Sequence, residues 1–122
     1  LEKEGQLFDI TNRLSGTFDS SKIYRYGYFA SENSASIGCG ILSRYPISDV
    51  KVHSLSIQSS EKQPSMRPII QFSLKNGTNE LVIFVNHWKS KSGGAEASEI
   101  WRDYQEKQLS RLIQNELNKL KK

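Results

Sequence analysis

The run Asn86-His87-Trp88-Lys89-Ser90-Lys91 places a histidine at the end of an apolar stretch, followed at once by cations and a hydroxyl. An imidazole, with an ordinary pKa near about 6.5, can donate or accept a proton close to neutrality, and neighbouring ammonium groups can offset anionic charge. His87 is therefore a candidate general acid/base or hydrogen-bond donor to a phosphate; the competing reading is a strand-end histidine with its hydrogen bonds satisfied and no chemistry. Polar groups where a buried strand runs into a loop are where sites are commonly built.

The elements that would position this histidine follow from periodicity. Residues 81–87 alternate apolar side chains on both faces, with Leu81, Ile83 and Val85 against Val82 and Phe84, which predicts a central strand. Residues 67–74 form the preceding strand, and Asn76-Gly77 between the two is a hairpin signal. The same residues with Thr78 fit a glycosylation sequon, but their flanks favour the turn.

Upstream, Leu7, Ile10 and Leu14 recur at helical spacing within residues 1–14, and Ser15-Gly16 ends the pattern. Residues 23–30 read as a strand with Tyr24, Tyr26 and Tyr28 on one face, and residues 31–36 as a polar loop. In the next strand, 37–45, Ile37, Cys39 and Ile41 share a face, while Gly38 and Gly40 on the other leave room for a close approach to the backbone. Pro46 closes that strand. Residues 50–57 read as a further strand whose apolar parity changes between Val52 and Leu55, so a bulge is expected near His53, and a polar loop follows over 59–65. Beyond the loop 90–98, with its Gly93-Gly94 pair, Ile100, Tyr104, Leu109, Leu112, Ile113, Leu117 and Leu120 mark a long helix with Glu96 and Glu99 near its start. The fold class is α/β: a largely antiparallel sheet, because the hairpin connections are too short for parallel crossovers, flanked by an N-terminal and a long C-terminal helix.

Bulk properties set the limits. The 122 residues are enough for one domain with a single core spanning 1–122. A net charge of +4 suits phosphate-bearing partners, although Lys119, Lys121 and Lys122 supply much of the excess and fit a solvated helix end equally well. A lone cysteine, Cys39, excludes an internal disulfide framework and a multi-cysteine zinc site. No apolar run approaches the roughly 18 residues of a membrane span, and residues 1–10 lack the basic and apolar regions of a secretory leader, so localisation is open.

Three ordered motifs carry a resemblance. Ile37-Gly38-Cys39-Gly40-Ile41-Leu42-Ser43-Arg44-Tyr45-Pro46-Ile47, then Arg67-Pro68, then Val85-Asn86-His87-Trp88-Lys89-Ser90 resemble, in order, the "L-S-R-Y-P-I" strand, the arginine-led strand and the "N-H-x-K-S" segment of the endonuclease/exonuclease/phosphatase superfamily. Gly93-Gly94 and a helix carrying Arg102 and Gln105 are similar to its bacterial members. The likeness spans essentially the whole chain.

The resemblance implies a partial DNase I-like α/β sandwich taken from the middle of a divalent-metal-dependent phosphodiesterase or phosphatase. It implies that His87 hydrogen-bonds the scissile phosphate and assists proton transfer, that Asn86 supports it, and that Arg67, Lys89 and Ser90 line the substrate cleft. Ser43, Arg44 and Tyr45 read as fold signature. It further implies Mg²⁺ or Mn²⁺ in the parent protein. The family's ligands come from "Q-E", "G-D-F-N" and "S-D-H" motifs absent here; Leu1-Glu2 resembles the residues just after the metal glutamate, so the ligands lie outside this chain, with Glu2 and Glu4 as substitutes under a shifted register. The implied substrate is nucleic acid or another phosphodiester, lipid esters included. Without its ligands the segment itself is expected to be inactive, and the alternative reading is a phosphate-binding module. A sheet face exposed by a partial sandwich would invite self-association.

Overall fold

In the computed structural model, residues 4–17, 19, 22–31, 38–55, 64 and 66–121 are described. Their order is α1 (Glu4–Ser15), β1 (Tyr26–Ala30), β2 (Cys39–Ser43), β3 (Ile47–His53), β4 (Ile69–Asn76), β5 (Asn79–Val85) and α2 (Ala95–Leu120). Two helices and antiparallel sheets make this an α/β chain. It divides into two compact units, Leu1–His87 and Trp88–Lys122. No helix among the described residues is long and apolar enough to cross a membrane.

In the first unit β1 and β2 form an antiparallel pair, and β3, β4 and β5 form a three-stranded antiparallel sheet in that order. One apolar cluster draws on both sheets: Ala30 and Cys39 from the pair, Ile70 and Phe72 from β4, with Tyr28, Ile41, Ile47, Val50, Leu74, Ile83 and Val85 packed around them. Alternation along β4 sends Ile70, Phe72 and Leu74 into this cluster. Its opposite face, Ile69, Gln71 and Ser73, is also buried, so β4 is covered on both sides. The strand expected to be central is β5; among the described residues it lies instead at the edge, and β4 takes the middle. Apolar residues on both faces mark a strand as covered, but they do not say on which side its neighbours lie.

Local chemistry explains several boundaries. Gly38 stands where a Cβ would meet the Ala30 carbonyl oxygen and come within 2.5 Å of the Phe29 ring, so the close approach expected here is made by β1. The β2 strand begins at Cys39 and ends at Ser43, inside the expected 37–45; Ile37 lies outside the described residues. Its last residue turns the chain, as the buried Ser43 hydroxyl accepts the Tyr45 N–H at 3.0 Å. Arg44 then reaches back, donating from Nε to the Lys22 carbonyl at 2.8 Å with its guanidinium over the Tyr24 ring at 4.6 Å. That stack holds Tyr24 before the start of β1, which begins at Tyr26 rather than residue 23.

The bulge lies in β3, but earlier than its expected place near His53. Asp49 and Val50 together oppose Phe72 between the Ser48–Ser73 and Lys51–Gln71 pairs, and Asp49 takes φ 51°, a left-handed conformation its short side chain tolerates. The strand accordingly runs 47–53, not 50–57, with Ser56 and Ile57 outside the described residues. Between β4 and β5 the central turn residues are Gly77 and Thr78, one position later than the Asn-Gly dipeptide suggested, because Asn76 pairs with Asn79. Gly77, at φ 63°, occupies the first central position, as in a II′ hairpin turn.

The second unit is α2 and the segment before it. The helix starts at Ala95, inside the expected loop 90–98, because Gly94 at φ 114° breaks the chain direction one residue earlier. Its buried stripe is Ser98, Trp101, Gln105 and Leu112; Ile100, Ile113, Leu117 and Leu120 of the expected apolar set are exposed.

Candidate functional site

The β4–β5 ladder stops at the Ile70–Val85 pair, and both chains continue past it. Arg67 lies two residues before the first residue of β4, and His87 two residues after the last of β5. In an antiparallel pair the start of β4 lies beside the end of β5, so Arg67 and His87, twenty residues apart in sequence, follow from the same end of the sheet. The base under them is rigid. Pro68, Ile69 and Ile70 are the most deeply buried large side chains, while Arg67 is half-buried and His87 exposed.

The His87 pKa lies below its ordinary value of 6.5, first because partial desolvation disfavours the imidazolium and then because the Arg67 guanidinium repels the added proton. At neutral pH the ring is therefore held neutral, with one N–H to donate and one nitrogen to accept. An anion between Arg67 and His87 would reverse the repulsion and favour the protonated ring.

Asn86 is half-buried, and its side-chain Nδ2 donates to the Phe84 carbonyl at 3.3 Å, which braces its own strand end. Lys89 and Ser90 belong to the second unit. There the Lys89 N–H is held by the buried Gln105 Oε1 at 2.8 Å, and the Ser90 hydroxyl accepts the Ser92 N–H at 3.2 Å. Gly94 N–H donates to the Lys91 carbonyl at 3.0 Å, and Ser98 Oγ to the Gly94 carbonyl at 2.9 Å. Arg102 donates from Nη2 to the Ala95 carbonyl at 3.0 Å and from Nη1 to Ser98 Oγ. The loop bearing Lys89 and Ser90 is thus fastened to α2 through Gln105 and Ser98. Two residues noted as family-like on the helix, Arg102 and Gln105, prove to be the ones that organise its start.

One polar pair escaped sequence reasoning. His53 Nε2 lies 2.8 Å from the buried Gln71 Oε1, joining β3 to β4 on the face opposite the apolar cluster. Gln71 must be satisfied there, since an unpaired amide at that depth is costly. Its signal was a glutamine inside the apolar run Ile69-Ile70-Gln71-Phe72.

A divalent ion needs several oxygen donors converging on one point. Among the described residues no three of His, Cys, Asp and Glu come together, and Glu4 is an exposed residue of the first turn of α1. The described residues therefore do not fit a hard-cation site, and Glu2 lies outside them. Cys39 is no nucleophile: burial pushes its thiol pKa up, against the thiolate that reactivity needs. Comparison of the chain with protein-family models, with curated proteins and with solved structures finds no match.

Proposed function

We propose that this chain supplies the phosphate-handling histidine of a phosphodiester hydrolase of the endonuclease/exonuclease/phosphatase type, with nucleic acid as its substrate. The observation that carries the reading is the placement of Arg67 and His87 at the same open end of the β4–β5 hairpin, where desolvation first and the guanidinium second lower the imidazole pKa. The finer fold reading, part of a DNase I-like sandwich, goes with it; its support is an apolar cluster that draws on two antiparallel sheets.

In this account Arg67 draws a phosphoryl group to the sheet end by charge, and the His87 ring donates an N–H to a non-bridging oxygen. As negative charge develops on that oxygen the hydrogen bond strengthens, which lowers the barrier more than it tightens the ground state. Lys89 and Ser90, which the family resemblance also implies, lie in the second unit on the loop fastened by Gln105. The Mg²⁺ or Mn²⁺ that the family resemblance implies would be held by residues outside those described.

The test is single-turnover cleavage of a DNA phosphodiester by the full-length protein that carries this segment, with saturating metal and substrate. His87→Ala is expected to lower the rate roughly 10²-fold or more, the scale of a lost charge-stabilising donor. Lys89→Ala should weaken binding in a salt-dependent way and leave the chemical step nearly unchanged. A His87→Ala rate within about twofold of wild type contradicts the reading, because the loss of such a donor costs far more. Phosphate binding without any cleavage would instead favour a binding module.

A further inference from the structure

The outer edge of β5 is unlike an ordinary sheet edge. Five consecutive residues, Leu81-Val82-Ile83-Phe84-Val85, are apolar and carry no charge and no proline, the devices by which edges usually discourage pairing. Among the described residues no strand is bonded to this edge. In an antiparallel ladder alternate residues direct both backbone groups outward; counted from the Asn76–Asn79 pair that closes the turn, these are Glu80, Val82 and Phe84. Leu81 is 60% exposed, although it lies on the cluster face beside Leu74, and with Tyr45 these two line an apolar groove of about 230 Å³ at the turn end of the strand.

We propose that β5 pairs antiparallel with β5 of a second copy of this chain, about a two-fold axis through Ile83, joining two three-stranded sheets into one of six. The strand is self-complementary in this register: Ile83 meets Ile83, Val82 meets Phe84, and Leu81 meets Val85, so same-face side chains continue across the junction. The partner's Val85 then covers Leu81 beside the Tyr45 groove. Charge selects the orientation. Glu80 precedes the apolar stretch, and the antiparallel arrangement sets it opposite the other copy's uncharged Asn86. A parallel arrangement would align like charges.

Sedimentation of the 122-residue chain across a wide concentration range tests this. The expected result is a reversible dimer of the 13.9 kDa chain. Val82→Pro removes an outward N–H, a change an edge strand can accept, and Leu81→Lys puts a charge on an already exposed position. Each should weaken the dimer about tenfold or more. Amide exchange gives a second reading without substitution: the Glu80, Val82 and Phe84 amides should be protected at high concentration and lose protection on dilution. A monomer at every concentration, or unprotected outward amides in the dimer, overturns the proposal. So does a dimer that survives both variants, which would move association to another surface, such as exposed Ile113, Leu117 and Leu120 of α2.

Discussion

The two ends of the β4–β5 hairpin are built oppositely. At the turn end the ladder runs to its last pair, Asn76–Asn79, and residues 75–81 are exposed throughout. At the other end pairing stops at Ile70–Val85, where Ile69 and Ile70 are almost wholly buried, and Arg67 and His87 project beyond that anchor. Backbone pairing satisfies the first end and leaves its side chains to solvent. At the second, polar side chains gain reach while their backbones stay fixed within a few residues of the core, the combination a binding site requires.

Substitutions can break this contrast. The largest effect is expected at Ile70, which is fully buried in the apolar cluster. Ile70→Ala should cost about 2–5 kcal/mol in urea unfolding, whereas a surface substitution such as Lys75→Ala should stay within about 0.5 kcal/mol. Equal losses at the two positions would deny that the Arg67–His87 end is the anchored one. Next comes His53→Ala, which removes the ring partner of the buried Gln71 Oε1 and should cost about 1–3 kcal/mol. Restoring stability with Gln71→Leu in the same chain would trace the penalty to the oxygen that His53 served. A smaller effect is expected at the turn. Gly77→Ala forces a Cβ into a φ of 63° where space is open, so strain alone acts, at about 1–2 kcal/mol, and Gly77→Asn should recover part of it.

Much of this architecture was legible because it rests on local rules. The helices, the hairpin and the alternation in residues 67–85 follow from periodicity and a turn dipeptide, and the close approach at Gly38 from a glycine inside a strand. What was misjudged depends on neighbours distant in sequence. The position of β5 at the edge is set by where β3 pairs, and the bulge moved to Asp49 because the Ser48–Ser73 and Lys51–Gln71 pairs fix its place. The α2 stripe shifted toward Ser98, Trp101 and Gln105 because a hydrogen-bonded loop settles on the start of that helix. At the site, His87 stood out as a strand-end histidine, but its approach to Arg67 is a consequence of antiparallel register, which no short window of sequence contains.

The central claim is that Arg67 and His87 act as one electrostatic unit able to hold a phosphodiester, and NMR titration of the His87 ring tests it most directly. In the wild-type chain the midpoint should lie below 6.5. Arg67→Gln removes one cause of that depression and should move the midpoint upward, toward the ordinary imidazole value, while the part due to desolvation remains. A short DNA phosphodiester added to the wild-type chain should also raise it, because an anion between the two residues favours the imidazolium, and should do so less in Arg67→Gln. A midpoint that moves with neither the substitution nor the diester would contradict the account and leave His87 a strand-end residue with no phosphate to hold.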